Sequence, residues 1–237
     1  MRLQLDINHQ MLFVGLSNLS LPFFGAVLGI VIAKLFPLVK DLGLKLILSF
    51  SGAFLLGIIV FELLPEIFST GGKNIAPFVM GGILFQIVLE FFSKGAEHGH
   101  FHHKDTQHFQ MALWISLCLH AVVEGIPLSE SNSLSYGILI HKIPIGIILY
   151  LILDKTNITV FYKWTALFLF CIMTPLGMLL SGLIPSLNGY NLEITSWVVG
   201  MLLHISTIIL FESTENHNFN LRKLSVILIA IVLSYFM

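Results

Sequence analysis

A histidine and a glutamate lie four residues apart in a strongly apolar part of the chain. His120 and Glu124 fall within residues 119–127, which read LHAVVEGIP, and this spacing places both side chains on one face of a helix. His141 lies in the next apolar stretch, where a second helix could face the first. Ionisable residues are costly in such segments and usually have a use there. Imidazole nitrogen and carboxylate oxygen suit a borderline divalent cation such as zinc, so the three residues indicate a metal pathway through a membrane.

The composition independently indicates a membrane protein. Hydrophobic residues make up 56% of the 237 residues and charged residues 11%, whereas roughly 25% are charged in ordinary soluble domains. A membrane helix needs about 20 predominantly apolar residues. The candidate segments, numbered here as spans one to eight, are 11–36, 44–68, 75–93, 109–129, 134–153, 160–186, 192–212 and 221–236. We therefore expect a single all-α, polytopic transmembrane domain over residues 1–237, with span one retained rather than cleaved.

The distribution of positive charge predicts the orientation of these spans. With the N-terminus outside, the outer side carries Arg2 and Lys73. The cytoplasmic side then carries the larger set of cations, which is Lys34, Lys40, Lys45, Lys94, Lys104, Lys155, Lys163, Arg222 and Lys223. Cytoplasmic loops are enriched in Lys and Arg, so both termini are expected outside.

The connection between spans three and four is rich in histidine. Residues 94–108 would form a cytoplasmic loop that contains four closely spaced histidines, called here the loop histidines: His98, His100, His102 and His103. Short His-rich tracts often bind metal, and this tract could capture a cation loosely. The alternative is a flexible polar connection whose histidines have no such role.

Taken together, these features resemble the ZIP family of divalent metal transporters over nearly the whole chain. The resemblance rests on the eight-span pattern, the His-rich loop, and the His, Glu, Gly and Pro residues of spans four and five. The sequences FELLPE at 61–66 and MTPLG at 173–177 match further family features. It implies a bundle of eight helices in a 3+2+3 inverted repeat, with spans one to three related to spans six to eight.

The resemblance also implies two adjacent metal sites between spans four and five, and this chain matches them in part. His120 and Glu124 match ligands of span four and His141 matches the first ligand of span five, whereas Ala121 replaces an Asn. Lys142 stands where an acid would be, so one site is preserved and the second is lost. We hypothesise that the Lys142 ammonium neutralises Glu124 as a second metal ion would. The alternative is that Lys142 snorkels or faces a polar cleft without a role in transport.

Further polar residues could line the pathway. His204 lies inside span seven, Glu62 and Glu66 lie at the outer end of span two, and Glu212, Glu215 and His217 lie at the inner end of span seven. They could form an entrance and an exit for cations. Alternatively, His204 satisfies one interhelical hydrogen bond, and the acids are solvated helix ends.

The expected function is uptake of a divalent cation toward the cytoplasm. Zinc is the first choice, and Fe²⁺, Mn²⁺ and Cd²⁺ use the same ligand types. We expect no enzyme activity and no prosthetic group, although an intramembrane zinc hydrolase and a transport-deficient metal sensor stay open as alternatives. The expected partners are the metal ion and the lipid bilayer, with a homodimer left open and nucleic acid excluded. The expected location is a bacterial inner membrane.

Overall fold

The structure is a computed structural model that describes residues 2–36, 42–93, 111–129, 131–184, 189–212 and 221–237. These residues form helices and no strands, which confirms the all-α prediction. The α-helices are α1 (Arg2–Leu35), α2 (Leu42–Ile58), α3 (Leu64–Gly71), α4 (Ala76–Ser93), α5 (Met111–Gly125), α6 (Asn132–Asp154), α7 (Val160–Leu183), α8 (Asn191–Glu212) and α9 (Leu221–Tyr235). A π-helical turn (Ile59–Leu63) joins α2 to α3, and 3-10 turns occupy Gly72–Ile75 and Ile126–Ser129.

Six stretches of the described chain are long and apolar enough to cross a membrane, namely Ser17–Leu35, Gly43–Ser93, Met111–Ser129, Asn132–Asp154, Val160–Leu183 and Asn191–Phe211. Large apolar side chains such as Phe24, Leu84 and Leu183 are well exposed on the outside of the bundle. A surface of this kind suits contact with lipid. At 15 residues, α9 is shorter than the length of about 20 that a span usually needs.

The stretch Gly43–Ser93 folds back on itself. Its 51 residues would extend about 76 Å as one straight helix, more than twice the hydrocarbon thickness of a bilayer. The chain reverses at Gly72, whose φ of 59° is the left-handed conformation that glycine adopts without strain. Contacts with α8 show the reversal, since Gly52 of α2 lies beside Ile209 while Glu90 of α4 lies beside His204. The α2–α3 part of the stretch therefore runs antiparallel to α8, and α4 runs parallel to α8.

Glycines set the close approach of the helices that surround α6. A Cβ atom on Gly29 of α1 would lie 2.1 Å from the carbonyl oxygen of Ile143 in α6. At the α5–α7 contact, a Cβ on Gly125 would lie 2.1 Å from the Thr174 carbonyl oxygen, and one on Gly177 would lie 2.0 Å from that of Val122. Larger residues would force these helices apart. The glycines thus hold the C-terminal end of α5 against the C-terminal half of α7, and α1 against α6.

The helix α6 lies at the centre of the bundle. It packs along α1 and also contacts α2 and α7. Its first turn is capped by the Ser131 hydroxyl, which accepts a hydrogen bond from the Leu134 backbone N–H. At the same end, the Asn18 amide of α1 donates to the Leu128 carbonyl and to Asn132 Oδ1. These bonds fix the position of α6 relative to α1 and the end of α5.

Candidate metal centre

The α5 helix places His120 and Glu124 on its buried face, one turn apart. Their side chains are 3% and 0% exposed, and His120 Nε2 lies 3.1 Å from Glu124 Oε2. The stacking expected from the spacing of four residues is therefore present. It follows from the helix geometry alone.

His141 on α6 completes a cluster of three potential ligands. It is fully buried, and its ring centroid lies 6.0 Å from that of His120. One ligand atom from each of His120, Glu124 and His141 can be chosen so that all three lie within 4.8 Å of one another. A zinc ion about 2.0–2.2 Å from each ligand would draw these atoms closer together by small side-chain rotations. The cluster contains the donor types that zinc and similar divalent cations use.

Two further side chains contact the Glu124 carboxylate from the other side. Lys142 on α6 forms an ion pair with Oε1, and its side chain is 2% exposed. The Thr174 hydroxyl of α7 donates a hydrogen bond to the same oxygen over 2.8 Å. The Lys142 ammonium also lies 4.9 Å from the centroid of the Phe170 ring, which favours a cation on its face. Glu124 Oε1 is thus neutralised within the protein, while Oε2 points to His120.

The orientation of His120 brings its Nε2 against Glu124 Oε2. His120 Nδ1 lies 3.0 Å from Oε1 of the buried Gln86 on α4. An amide oxygen accepts hydrogen bonds, and in the tautomer in which Nδ1 donates to it, His120 presents the lone pair of Nε2. That lone pair is directed toward Glu124 Oε2, and among the described residues neither atom has a hydrogen-bond donor. Such a pair requires either a proton or a bound cation between its members.

His204 lies outside this three-residue cluster. Its Nε2 lies 2.8 Å from Glu90 Oε2, and the two side chains are 15% and 24% exposed. His204 was predicted from the sequence, whereas Gln86, the partner of His120, and Glu90, the partner of His204, were not. The overlooked signal was two polar residues four positions apart within an apolar span.

The other predicted residues lie within the α2–α3 helical run, at the end of α8 or outside the described residues. Glu62 and Glu66 are exposed near the π-helical turn, and Glu62 accepts a 2.7 Å hydrogen bond from the Ser133 hydroxyl at the start of α6. Glu212 is the last residue of α8. The loop histidines, Glu215 and His217 lie outside the described residues.

The fold and the cluster define the class of protein: an integral membrane protein of packed apolar helices with a buried cluster of two histidines and a glutamate. The sequence model of the family described as ZIP Zinc transporter matches residues 93–234, which is more than half of the chain. The chain therefore belongs to the ZIP zinc transporter family, whose members are transporters of divalent metals. No curated protein matches the sequence.

Proposed function

We propose that the protein moves a divalent cation, zinc in the first place, through the cluster of His120, Glu124 and His141 toward the cytoplasm. The observation that carries the proposal is the approach of His120 Nε2 to Glu124 Oε2, two buried atoms 3.1 Å apart that have no other hydrogen-bond partner among the described residues. A cation bound between them removes their repulsion, and His141 supplies a third donor. The metal is the substrate here and not a resident cofactor.

Lys142 has the position that a second cation would need. Its ammonium pairs with the oxygen of Glu124 that does not face His120. In this arrangement the protein supplies one fixed positive charge and the substrate supplies the other. A tethered charge cannot leave with the substrate, so it keeps Glu124 partly neutralised through the transport cycle and prevents very tight binding.

The proposal includes an arrangement of eight crossings as a 3+2+3 inverted repeat with both termini outside. Its support is the pattern of helix pairs. The repeat would be related by a rotation that exchanges α1 with α7, α2 and α3 with α8, α4 with α9, and α5 with α6. This rotation converts the α1–α6 contact into the α7–α5 contact and the α4–α8 contact into the α9–α2 contact. All four of these contacts are extensive. Small residues lie at each of them, including Gly57 and Ser234 between α2 and α9.

The orientation within the membrane rests on the distribution of positive charge. Excess Lys and Arg on the side of the connection 94–108 makes that side cytoplasmic, and we assign the protein to a bacterial inner membrane. The path lies within one chain, so the proposal does not require a homodimer.

Uptake of radioactive zinc into proteoliposomes tests the proposal. We expect uptake by the wild type above that of protein-free vesicles, and a loss of about tenfold or more in His141→Ala because one ligand is missing. Cys118→Ala removes a buried α5 side chain that is not among the ligands, and it should retain uptake. A wild type that binds zinc but carries none would instead favour the sensor or hydrolase interpretation.

A further inference from the structure

Two helices outside the central cluster bring together a second pair of metal-ligand side chains. Glu90 on α4 and His204 on α8 meet with 2.8 Å between Oε2 and Nε2. Their side chains are 24% and 15% exposed, so both are mostly buried but remain partly accessible. Close contact between α4 and α8 fixes the pair, since a Cβ on Gly200 of α8 would lie 1.9 Å from the Val79 carbonyl oxygen of α4.

This pair continues a line of polar side chains that starts at the central cluster. His120 is bonded to Gln86, and Gln86 lies one turn before Glu90 on the same face of α4. The helices α4 and α5 are antiparallel in this region, because the Ser116 hydroxyl of α5 donates to the Leu89 carbonyl of α4 while His120 faces Gln86. The step from Glu124 to His120 along α5 therefore runs in the same direction through the bundle as the step from Gln86 to Glu90 along α4.

Each of these two steps covers about 6 Å, and together they cover about 12 Å along the bundle. They lead toward Ser93, the end of α4, and Met111, the start of α5. These are the two ends that the His-rich connection joins. The Glu90–His204 pair thus lies beyond the central cluster on the side where that connection begins.

We propose that Glu90 and His204 form a second, weaker divalent-cation site that receives the metal ion from the central cluster. The inference rests on the proposed function and extends it. Imidazole and carboxylate are the same donor types as in the central cluster, but here the described part of the chain supplies two such ligands, Glu90 and His204, instead of three. Fewer protein ligands and greater exposure make binding weaker, and a cation that moves from three ligands to two is already partly released.

The Glu90–His204 pair could bind metal or could serve only as a hydrogen bond that joins α4 to α8. Conservative variants separate these two roles. Glu90→Gln retains an acceptor oxygen for His204, and His204→Gln retains a donor for Glu90, so both preserve the interhelical bond while removing a metal ligand. Glu193→Gln is the matched control, because it removes one half-buried carboxylate from the first turn of α8, far from the pair.

The first measurement is zinc uptake by proteoliposomes that contain the full chain. Glu90→Gln and His204→Gln should each lower uptake by about fivefold or more, with the thermal midpoint unchanged, while Glu193→Gln retains uptake. The second measurement is equilibrium dialysis of purified protein against radioactive zinc. The wild type should bind one weak zinc ion more per chain than Glu90→Gln, and the tight binding should be equal in both.

Equal weak binding in the wild type and Glu90→Gln overturns the inference, and so does unchanged uptake in both variants. Failure of the proposed function is a distinct result, in which the wild type carries no zinc beyond protein-free vesicles. The dialysis comparison still decides the second site in that case, because it does not depend on transport.

Discussion

Lys142 and Glu124 allow a direct test of how the central cluster balances charge. The pair is almost completely buried, with side-chain exposures of 2% and 0%. Lys142→Met retains much of the side-chain volume and removes the charge, so the Glu124 carboxylate loses its cationic partner. Removal of one member of a buried pair costs about 3–5 kcal/mol in the free energy of unfolding.

That cost corresponds to a large change in thermal stability. A chain of this size loses roughly 2–4 °C in its unfolding midpoint per kcal/mol. We therefore expect metal-free Lys142→Met to unfold about 6–20 °C below the wild type. The chain also contains a matched control, the ion pair of Lys163 with Asp154, whose side chains are 14% and 49% exposed. Exposed pairs contribute about 0.2–1 kcal/mol, so Lys163→Met should change the midpoint by a few degrees at most.

Zinc should reverse much of the effect in Lys142→Met. In this variant the bound ion supplies the positive charge at Glu124, and it does not compete with the Lys142 ammonium because that group has been removed. Each tenfold gain in affinity adds about 1.4 kcal/mol, so the stabilisation by zinc should be larger in the variant than in the wild type. The assay is thermal unfolding of the purified protein in detergent, with and without zinc. Equal zinc-induced shifts in wild type and Lys142→Met, or equal destabilisation by Lys142→Met and Lys163→Met, would refute the charge-balance argument.

Three further predictions concern the surroundings of the cluster. Gly125→Ala should lower both thermal stability and zinc uptake because its Cβ would meet the Thr174 carbonyl oxygen at 2.1 Å, whereas Gly182→Ala, with no atom within 4 Å, should preserve both. Thr174→Val removes the hydroxyl that donates to Glu124 Oε1, and isotherms should show weaker zinc binding by about tenfold, as is typical for partners that orient a ligand. Replacement of all four loop histidines by Ser should leave substantial uptake, since a polar connection of this composition loses conformational entropy when it closes around a metal ion and so holds the ion weakly. Complete loss of uptake would contradict this.

Sequence reasoning predicted the parts of the site that depend on one helix. His120 and Glu124 share a face because of the spacing along α5, and the apolar run around them predicts the helix itself. The segment predicted at 75–93 closely matches α4, Ala76–Ser93. The segment predicted at 44–68 is part of a longer helical run, because a π-helical turn at Ile59–Leu63 continues α2 into α3 instead of ending it.

The parts that sequence reasoning missed depend on contacts between distant segments. Gln86 meets His120 across 34 positions, and Glu90 meets His204 across 114. Which faces of α4, α5 and α8 meet is set by glycine contacts such as Gly200 against Val79, and a pattern within one span contains no information about them. The contact of Lys142 with Glu124 was expected because an intramembrane charge usually pairs with another.

In the proposed site, one metal ion binds among His120, Glu124 and His141, with the Lys142 ammonium in place of a second ion. Anomalous diffraction from crystals of the zinc-loaded protein tests it most directly. We expect one central zinc ion about 2.0–2.2 Å from a nitrogen of each histidine and an oxygen of Glu124, with Lys142 beside the carboxylate. A central pair of zinc ions, or zinc bound away from these three residues, would contradict it.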